Sequence, residues 1–238
     1  MSSHSSYFFD WIEVGKRNRK LTNNRVLLYG NIFMHEARYA TMKACNCMTD
    51  AIYTNKPLRE VFDDLRQFLT AYTYSLVVLG EGVAWEKEAN CLYLKRLQVM
   101  YPYTRFVLAT SPGDWMQAAR YKEDNNCRLA NNEQCRKTAK ELGIKCLDVA
   151  AWAEEMGLTS VADARNIKGK LSWSYLRQFR ISKAFKTWRT KIQDRNIMKM
   201  ANLLLSQKFA AEARKIANEG APTPHVSQSF LAHKVKAR

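Results

Sequence analysis

The sequence predicts an α/β fold in which helices cover both faces of a mostly parallel sheet. Short runs rich in β-branched and aromatic residues alternate with longer amphipathic stretches between residues 25 and 152. Residues 74–80 include an unbroken apolar run, which is typical of a central strand buried on both faces. The chain has 238 residues, enough to bury a sizeable core. No apolar run approaches the roughly 20 residues that a membrane span needs, so no membrane partner is expected.

The first half of the alternation is regular. Residues 25–30 predict a strand that ends at a glycine, residues 34–48 a helix, and residues 51–55 a short strand. A helix is predicted at 57–72, because a proline stands at its start and apolar side chains follow at helical spacing. The apolar run at 74–80 is the next strand, so these elements alternate in the order of a parallel α/β sheet.

The second half continues the pattern. Residues 86–101 predict a helix with acidic residues at its N-terminal end, where the helix dipole favours them. Residues 104–110 predict a strand, and residues 132–143 a helix that is closed by a glycine. Residues 144–152 are predicted as the last strand. Ligand sites of such sheets lie at the carboxyl ends of the strands, which directs attention to the turns there.

The net charge of +16 is concentrated in the last third of the chain. Residues 165–238 carry 17 basic and only 3 acidic residues, a balance of +14. A segregated basic region indicates a polyanionic partner such as nucleic acid, with a solubilising tail as the alternative. The alternation stops near residue 170, and residues 171–219 predict one long helix or two in sequence.

A helical wheel of residues 180–192 separates an apolar stripe from a basic face. The stripe is expected to dock on the domain or on a protein partner, and it consists of Ile181, Phe185, Trp188 and Ile192. Aromatic residues just upstream could stack on bases. RNA is favoured over DNA as the partner. The predicted nucleic-acid contacts are Trp173, Tyr175, Arg177, Arg180, Lys183, Lys186, Arg189, Lys191, Arg195 and Lys199. A solvated basic face and a membrane-surface helix are the alternatives.

These observations divide the chain into four parts. Residues 1–24 are predicted as an N-terminal arm and residues 25–170 as the α/β domain. The basic helical extension follows at 171–219, and residues 220–238 are predicted as a flexible tail. The chain starts without a secretory signal pattern, and its six cysteines match no disulfide framework. A nuclear or cytoplasmic protein is therefore expected, and a secreted one is not.

Three blocks of the sequence resemble the SGNH (GDSL) hydrolase family. The stretch "LLYGNIF" is similar to the block that carries the family's nucleophile, and "VVLGEGVAW" to the block that carries its oxyanion-hole asparagine. The stretch "VADARN" is similar to the block that supplies the other triad members. The resemblance spans roughly residues 25–170 and implies a flavodoxin-like three-layer sandwich.

The chain departs from this family at the positions that carry the chemistry. The nucleophile position holds Ile32, the oxyanion position Gly82, and the histidine position Asn166, although Asp163 remains. Acyl transfer needs a nucleophile with its base and a donor for the oxyanion. The resemblance therefore implies a pseudoenzyme, a protein that keeps the hydrolase fold without its activity. A hydrolase with a non-standard site around His35 is the alternative.

Other candidate sites are weaker. Cys45 and Cys47 would point about 200° apart on the predicted helix, so they are not expected to share a metal. Gly80 and Gly82 flank an acidic residue, which favours a plain strand–helix turn over a phosphate site. Asp148 is interpreted, like Asp163, as a helix cap. No metal or cofactor is expected, and the predicted function is a non-catalytic RNA- or DNA-binding component of a larger assembly. A protein-interaction adaptor is the alternative.

Overall fold

A five-stranded parallel sheet forms the centre of the protein. The computed structural model describes residues 22–30, 32–54, 56–80, 87–112, 122–156 and 194–219. Its strands are β1 (Thr22–Gly30), β2 (Cys47–Tyr53), β3 (Leu76–Gly80), β4 (Arg105–Ala109) and β5 (Cys146–Leu147). Every neighbouring pair is parallel, and the spatial order is β2-β1-β3-β4-β5. This is the flavodoxin-like order, so the predicted fold class is confirmed.

Six helices cover the two faces of the sheet. They are α1 (Ile32–Cys45), α2 (Leu58–Ala71), α3 (Lys87–Met100), α4 (Lys122–Leu142), α5 (Val149–Glu155) and α6 (Asp194–Asn218). Helices α1, α5 and α6 share one hydrophobic core with the sheet, and α2, α3 and α4 share the other. The result is a three-layer sandwich. No helix among the described residues is both long and apolar enough to cross a membrane.

The strand sequences explain how one sheet serves two cores. In β1, Val26 and Leu28 face the core of α1 and α6, whereas Leu27 and Tyr29 face the core of α2 and α3. This alternation follows from the two-residue period of a strand. All five residues of β3 are buried, which agrees with its position between β1 and β4. Its unbroken apolar sequence is therefore what a strand covered on both faces requires.

The predicted ends of two helices are confirmed. Helix α2 follows Pro57 and buries an apolar stripe made of Leu58, Val61, Phe62, Leu65 and Leu69. Helix α4 ends before Gly143, whose φ of +62° lies in the left-handed region that glycine adopts easily. There the Ile144 amide donates to the Ala139 carbonyl at 3.0 Å, which satisfies one of the last carbonyls of the helix.

Several boundaries differ from the prediction. Strand β1 begins at Thr22 rather than at 25, α1 at Ile32 rather than at 34, and β2 at Cys47 rather than at 51. Helix α1 ends at Cys45 rather than at 48, because Asn46 turns the chain with a φ of +48° and β2 begins at Cys47. Helix α4 begins at Lys122, ten residues before the predicted start. The asparagine-rich residues 122–131 are helical too, although asparagine has a low helix propensity. The last strand stops at Leu147, because the Asp148 side chain accepts a hydrogen bond from the Ala151 amide and begins α5.

Helix α6 belongs to the sheet domain although it lies in the region predicted as an extension. Leu205, Phe209 and Ala213 are fully buried in the same core as β1 and β3. The rings of Phe209 and Phe33 meet edge to face, with their centroids 5.7 Å apart. At the other end of α6, the Arg105 guanidinium donates to the carbonyl of Ile216. Residues 1–21 of the predicted arm, the tail and residues 171–193 lie outside the described residues, whereas residues 22–24 of the arm belong to β1.

Candidate functional site

The carboxyl ends of β1 and β3 meet at the switch point of the sheet, where ligands of such folds bind. The chain leaves β1 towards β2 on one side and returns to β3 on the other. Gly30 has a φ of +154°, and a Cβ there would lie 2.8 Å from the Gly80 Cα. The two strand ends therefore approach closely only because both end in glycine. The family blocks in the sequence contain these same two glycines.

The described side of this switch point is apolar. A Cβ on Gly80 would lie 2.7 Å from Met34 Cγ, and both Met34 and Phe33 are buried. Ile32, at the position of the family's nucleophile, is the first residue of α1. His35 follows on the same helix and is half-buried. Among the described residues, no nucleophile stands at the start of α1 and no second histidine is present to act as a base.

The other residues of the hydrolase-like blocks lie outside the described part of the chain. Gly82 falls in residues 81–86, and Asp163 and Asn166 fall in residues 157–193. The arrangement of these three positions around Ile32 is therefore outside the described structure. Their role as substituted catalytic positions stays a prediction.

Asp148 is the most highly connected carboxylate near the strand ends, and its bonds are structural. Arg136 binds it in a bidentate manner, with Nε to Oδ2 at 2.7 Å and Nη2 to Oδ1 at 3.0 Å. The Thr110 hydroxyl donates to Oδ1 at 3.0 Å, as does the Ala151 amide at 3.2 Å. Burial alone would raise the pKa of Asp148, but these hydrogen bonds outweigh it and hold the pKa below its usual value. The interpretation of Asp148 as a helix cap is confirmed.

The segment after β4 is also held by a buried amide. Asn132 accepts from the Ser111 amide at 2.8 Å and donates to the Ser111 carbonyl at 3.0 Å. Both residues are almost completely buried. Ser111 stands just after the end of β4, and its backbone anchors the loop. Asn132 therefore has a structural role, which the sequence pattern did not reveal.

The two cysteines at the end of α1 lie side by side, contrary to the wheel argument. Because the helix ends at Cys45, the pair spans a turn, and the Cys45 thiol hydrogen-bonds to Cys47. This bond raises the pKa of Cys45 and lowers that of Cys47. Across the described residues, no group of three metal-ligating side chains occurs, so the pair lacks the further ligands of a metal site.

A basic groove lies between α1 and α6 on the outer side of the domain. It encloses about 650 Å³. Its floor is made of small residues, and its rim of polar, aromatic and basic ones. The lining residues are Tyr39, Ala40, Lys43, Ala44, Gln207, Ala210, Ala211, Arg214, Lys215 and Asn218. We call this surface the basic groove. Sequence reasoning missed it, because nothing in the chain indicates that residues 39–44 and 207–218 pack side by side.

Most of the nucleic-acid contacts predicted from the sequence cannot be placed. Eight of them, from Trp173 to Lys191, fall in residues 157–193, outside the described residues. Arg195 and Lys199 lie on the first turns of α6. The apolar stripe of residues 181–192 is likewise outside the described part. The basic groove is built from the later turns of the helix that carries Arg195 and Lys199.

Comparisons with known proteins found no match by sequence and distant matches by structure. No protein-family model matches the chain, and no curated protein matches it in sequence. A GDSL-like lipase from Bacteroides thetaiotaomicron is similar in structure, with 11% identity, a TM-score of 0.41, and coverage of 62% of this chain and 80% of that one. A proposed acylhydrolase from Bacteroides fragilis has 12% identity, a TM-score of 0.43, and coverage of 88% and 100%.

Proposed function

We propose that the protein is a non-catalytic, SGNH-like component of a nucleic-acid assembly, binding RNA in preference to DNA through its basic C-terminal third. The observation that carries the proposal is the charge distribution. Seventeen basic residues and three acidic ones lie in residues 165–238, while the rest of the chain is nearly balanced. Such an array binds phosphates along a strand without reading the sequence directly.

The apolar start of α1 supports a non-catalytic role. An SGNH-type acyl transfer begins with a serine at the position of Ile32, and its base is a histidine. Isoleucine has no group that can attack a carbonyl carbon. The whole chain has four histidines, of which only His35 lies within residues 25–170. A hydrolytic site would therefore need a different nucleophile and a different base.

A salt titration tests the nucleic-acid proposal. Five contacts from Arg180, Lys183, Lys186, Arg189 and Lys191 should give a slope of about −4 for log affinity against log salt. Binding would be followed by fluorescence anisotropy with single- and double-stranded RNA and DNA. Failure of micromolar protein to bind any of the four at low salt would refute the proposal.

Replacing the upstream aromatics provides a second readout in the same assay. Trp173→Ala should weaken single-stranded targets more than duplexes, because stacking needs an exposed base. A Lys→Gln change in the basic helix should weaken both kinds of target. An equal effect of Trp173→Ala on single strands and duplexes would contradict the stacking role.

Exposed apolar side chains favour a second candidate function, a protein-interaction adaptor. Leu92 and Val99 lie seven residues apart on α3 and are 50% and 64% exposed, and Tyr103 just beyond the helix is 74% exposed. Together with the predicted stripe of residues 181–192, they offer apolar surface to a protein partner. An adaptor would keep its partner at high salt and would bind no nucleic acid, which separates it from the first proposal.

A further inference from the structure

The basic groove has the shape of a binding site for one strand. Tyr39 and Lys43 form one wall, four residues apart on α1, and residues 207–218 of α6 form the other. The α6 wall extends about 17 Å along its helix. Four alanines also line the groove, and larger side chains at their positions would occupy part of its space. A volume of about 650 Å³ is typical of pockets that hold a nucleotide-sized ligand.

The charges around the groove select an anion. Among the described residues, three cations and no carboxylate line it. The cations are Lys43, Arg214 and Lys215. Glu212 lies beside Lys215 at 2.6 Å and offsets part of its charge. The other acidic residues that contact α6 have partners of their own: Glu36 accepts from Asn202 at 2.6 Å, Glu155 pairs with Lys208 at 2.7 Å, and Glu219 pairs with Lys145. The groove therefore keeps a positive balance, which a phosphate backbone complements.

An aromatic ring and two amides distinguish the groove from a simple charged patch. Tyr39 is 53% exposed at the rim, so its ring is accessible to a flat ligand. Gln207 and Asn218 stand at opposite ends of the α6 wall and offer both hydrogen-bond donors and acceptors. Cations, a stacking ring and amides together are the groups that proteins use to bind unpaired nucleotides.

We propose that the basic groove binds single-stranded RNA, with Lys43, Arg214 and Lys215 on the phosphates and Tyr39 stacked on a base. This inference rests on the proposed function and assigns it a site on the folded domain. The single strand is preferred to a duplex because stacking on Tyr39 needs an exposed base. It is preferred to an acidic peptide because a peptide has no base to stack.

A neutralising variant of the groove tests the phosphate contacts. Lys43→Gln, Arg214→Gln and Lys215→Gln would be combined in the full chain, and binding to a short oligouridylate measured by anisotropy across a salt range. Three lost contacts should flatten the slope of log affinity against log salt by about two units. Affinity at low salt should fall on the order of tenfold or more.

A matched triple on the opposite face of the sheet removes the same charge. Lys95→Gln and Arg96→Gln lie on α3 and Lys140→Gln on α4, and all three side chains are exposed. This control also removes two lysines and one arginine, so it reports any general loss of attraction. We expect it to keep most of the wild-type affinity, and thermal melting would confirm that both triples are folded.

Aromatic substitutions test the stacking contact separately. Tyr39→Ala should weaken the oligouridylate roughly tenfold, whereas Tyr39→Phe, which keeps the ring, should bind like the wild type. Tyr103→Ala, which removes an exposed ring after α3, is the matched control. An equal loss in Tyr39→Ala and Tyr39→Phe would show that the hydroxyl, and not stacking, accounts for the effect, and would contradict this part of the proposal.

The outcomes separate this inference from the proposed function. If the groove triple variant and the control triple variant lose the same affinity relative to the wild type, the groove is not the site, but the protein still binds RNA. A polyglutamate peptide would be tested as a competitor at the same concentration of charge. If it displaces the RNA and binds more tightly than the RNA does, the groove is a site for acidic proteins and the inference is overturned. A wild-type chain that binds no RNA refutes both.

Discussion

Replacing Phe209 by alanine should destabilise the whole domain, because α6 is part of the core. Phe209 is fully buried and packs against the sheet together with Leu205 and Ala213. Its ring meets that of Phe33 at 5.7 Å in an edge-to-face arrangement. Truncating a buried phenylalanine costs about 3–5 kcal/mol, which includes the cavity left behind. A domain of ordinary stability, roughly 5–15 kcal/mol, would lose a large part of its free energy of unfolding.

The assay is thermal and urea unfolding of the full chain, followed by circular dichroism. At about 2–4 °C per kcal/mol for a chain of this size, the melting temperature should fall by roughly 6–20 °C. Gln207→Ala is the matched control, since this neighbour on α6 is exposed. It should change the free energy of unfolding by no more than about 0.5 kcal/mol.

An unchanged melting temperature in Phe209→Ala would refute the packing of α6 on the sheet. The basic C-terminal third would then be a separable attachment, as its charge alone suggests. If the melting temperature falls as predicted, α6 is part of the core, and its positive charges are held in place next to α1.

Three further predictions concern the strand ends and the chemistry. Gly30→Ala should lower the free energy of unfolding more than Gly143→Ala does, as measured by urea unfolding. Both positions have a positive φ, but only at Gly30 would the new Cβ lie 2.8 Å from another backbone atom. Asp148→Asn should lower the free energy of unfolding at neutral pH. Below about pH 4 the variant and the wild type should become more alike in this free energy, because the folded wild type has a lowered Asp148 pKa and loses the stability that the charged carboxylate provides when it is protonated. A difference that does not change with pH would contradict the role of the charge. A fluorophosphonate probe should label no serine in residues 25–170, and simple acyl esters should be hydrolysed only at the background rate; a mapped serine adduct would restore the hydrolase alternative.

The sequence predicted a helix or strand correctly where the local pattern of apolar residues matches the burial of that element in the fold. Strand β3 is apolar throughout because both of its faces are covered, so composition alone identified it. The amphipathic stripe of α2 and the glycine after α4 are equally local features. These elements follow in the order of a parallel sheet, which is why the fold class could be predicted.

Boundaries set by one backbone turn or one side-chain bond were not predictable in this way. Asn46 ends α1 by adopting a positive φ, and without that turn Cys45 and Cys47 would lie on opposite sides of a helix. Asp148 caps α5 through the nearby Ala151 amide, but it also bonds to Arg136 and Thr110, which are 12 and 38 residues away in the sequence. Local propensity contains no information about such partners.

The candidate site was the hardest part to predict. The two glycines at the switch point belong to short sequence blocks and could be recognised there. The basic groove depends instead on the packing of α6 against α1, which are separated by most of the chain. Charge counting found the region that contains Arg214 and Lys215, but it could not show that Lys43 lies across from them.

Photo-crosslinking of the full chain to thiouridine-containing single-stranded RNA would locate the bound RNA on the protein surface. The crosslinked peptides would be identified by mass spectrometry after nuclease digestion. We expect RNA adducts on residues 171–199 and on Tyr39 in the basic groove, and none on the exposed face of α3 around Leu92. An absence of crosslinks, or adducts spread evenly over both faces of the sheet, would contradict it.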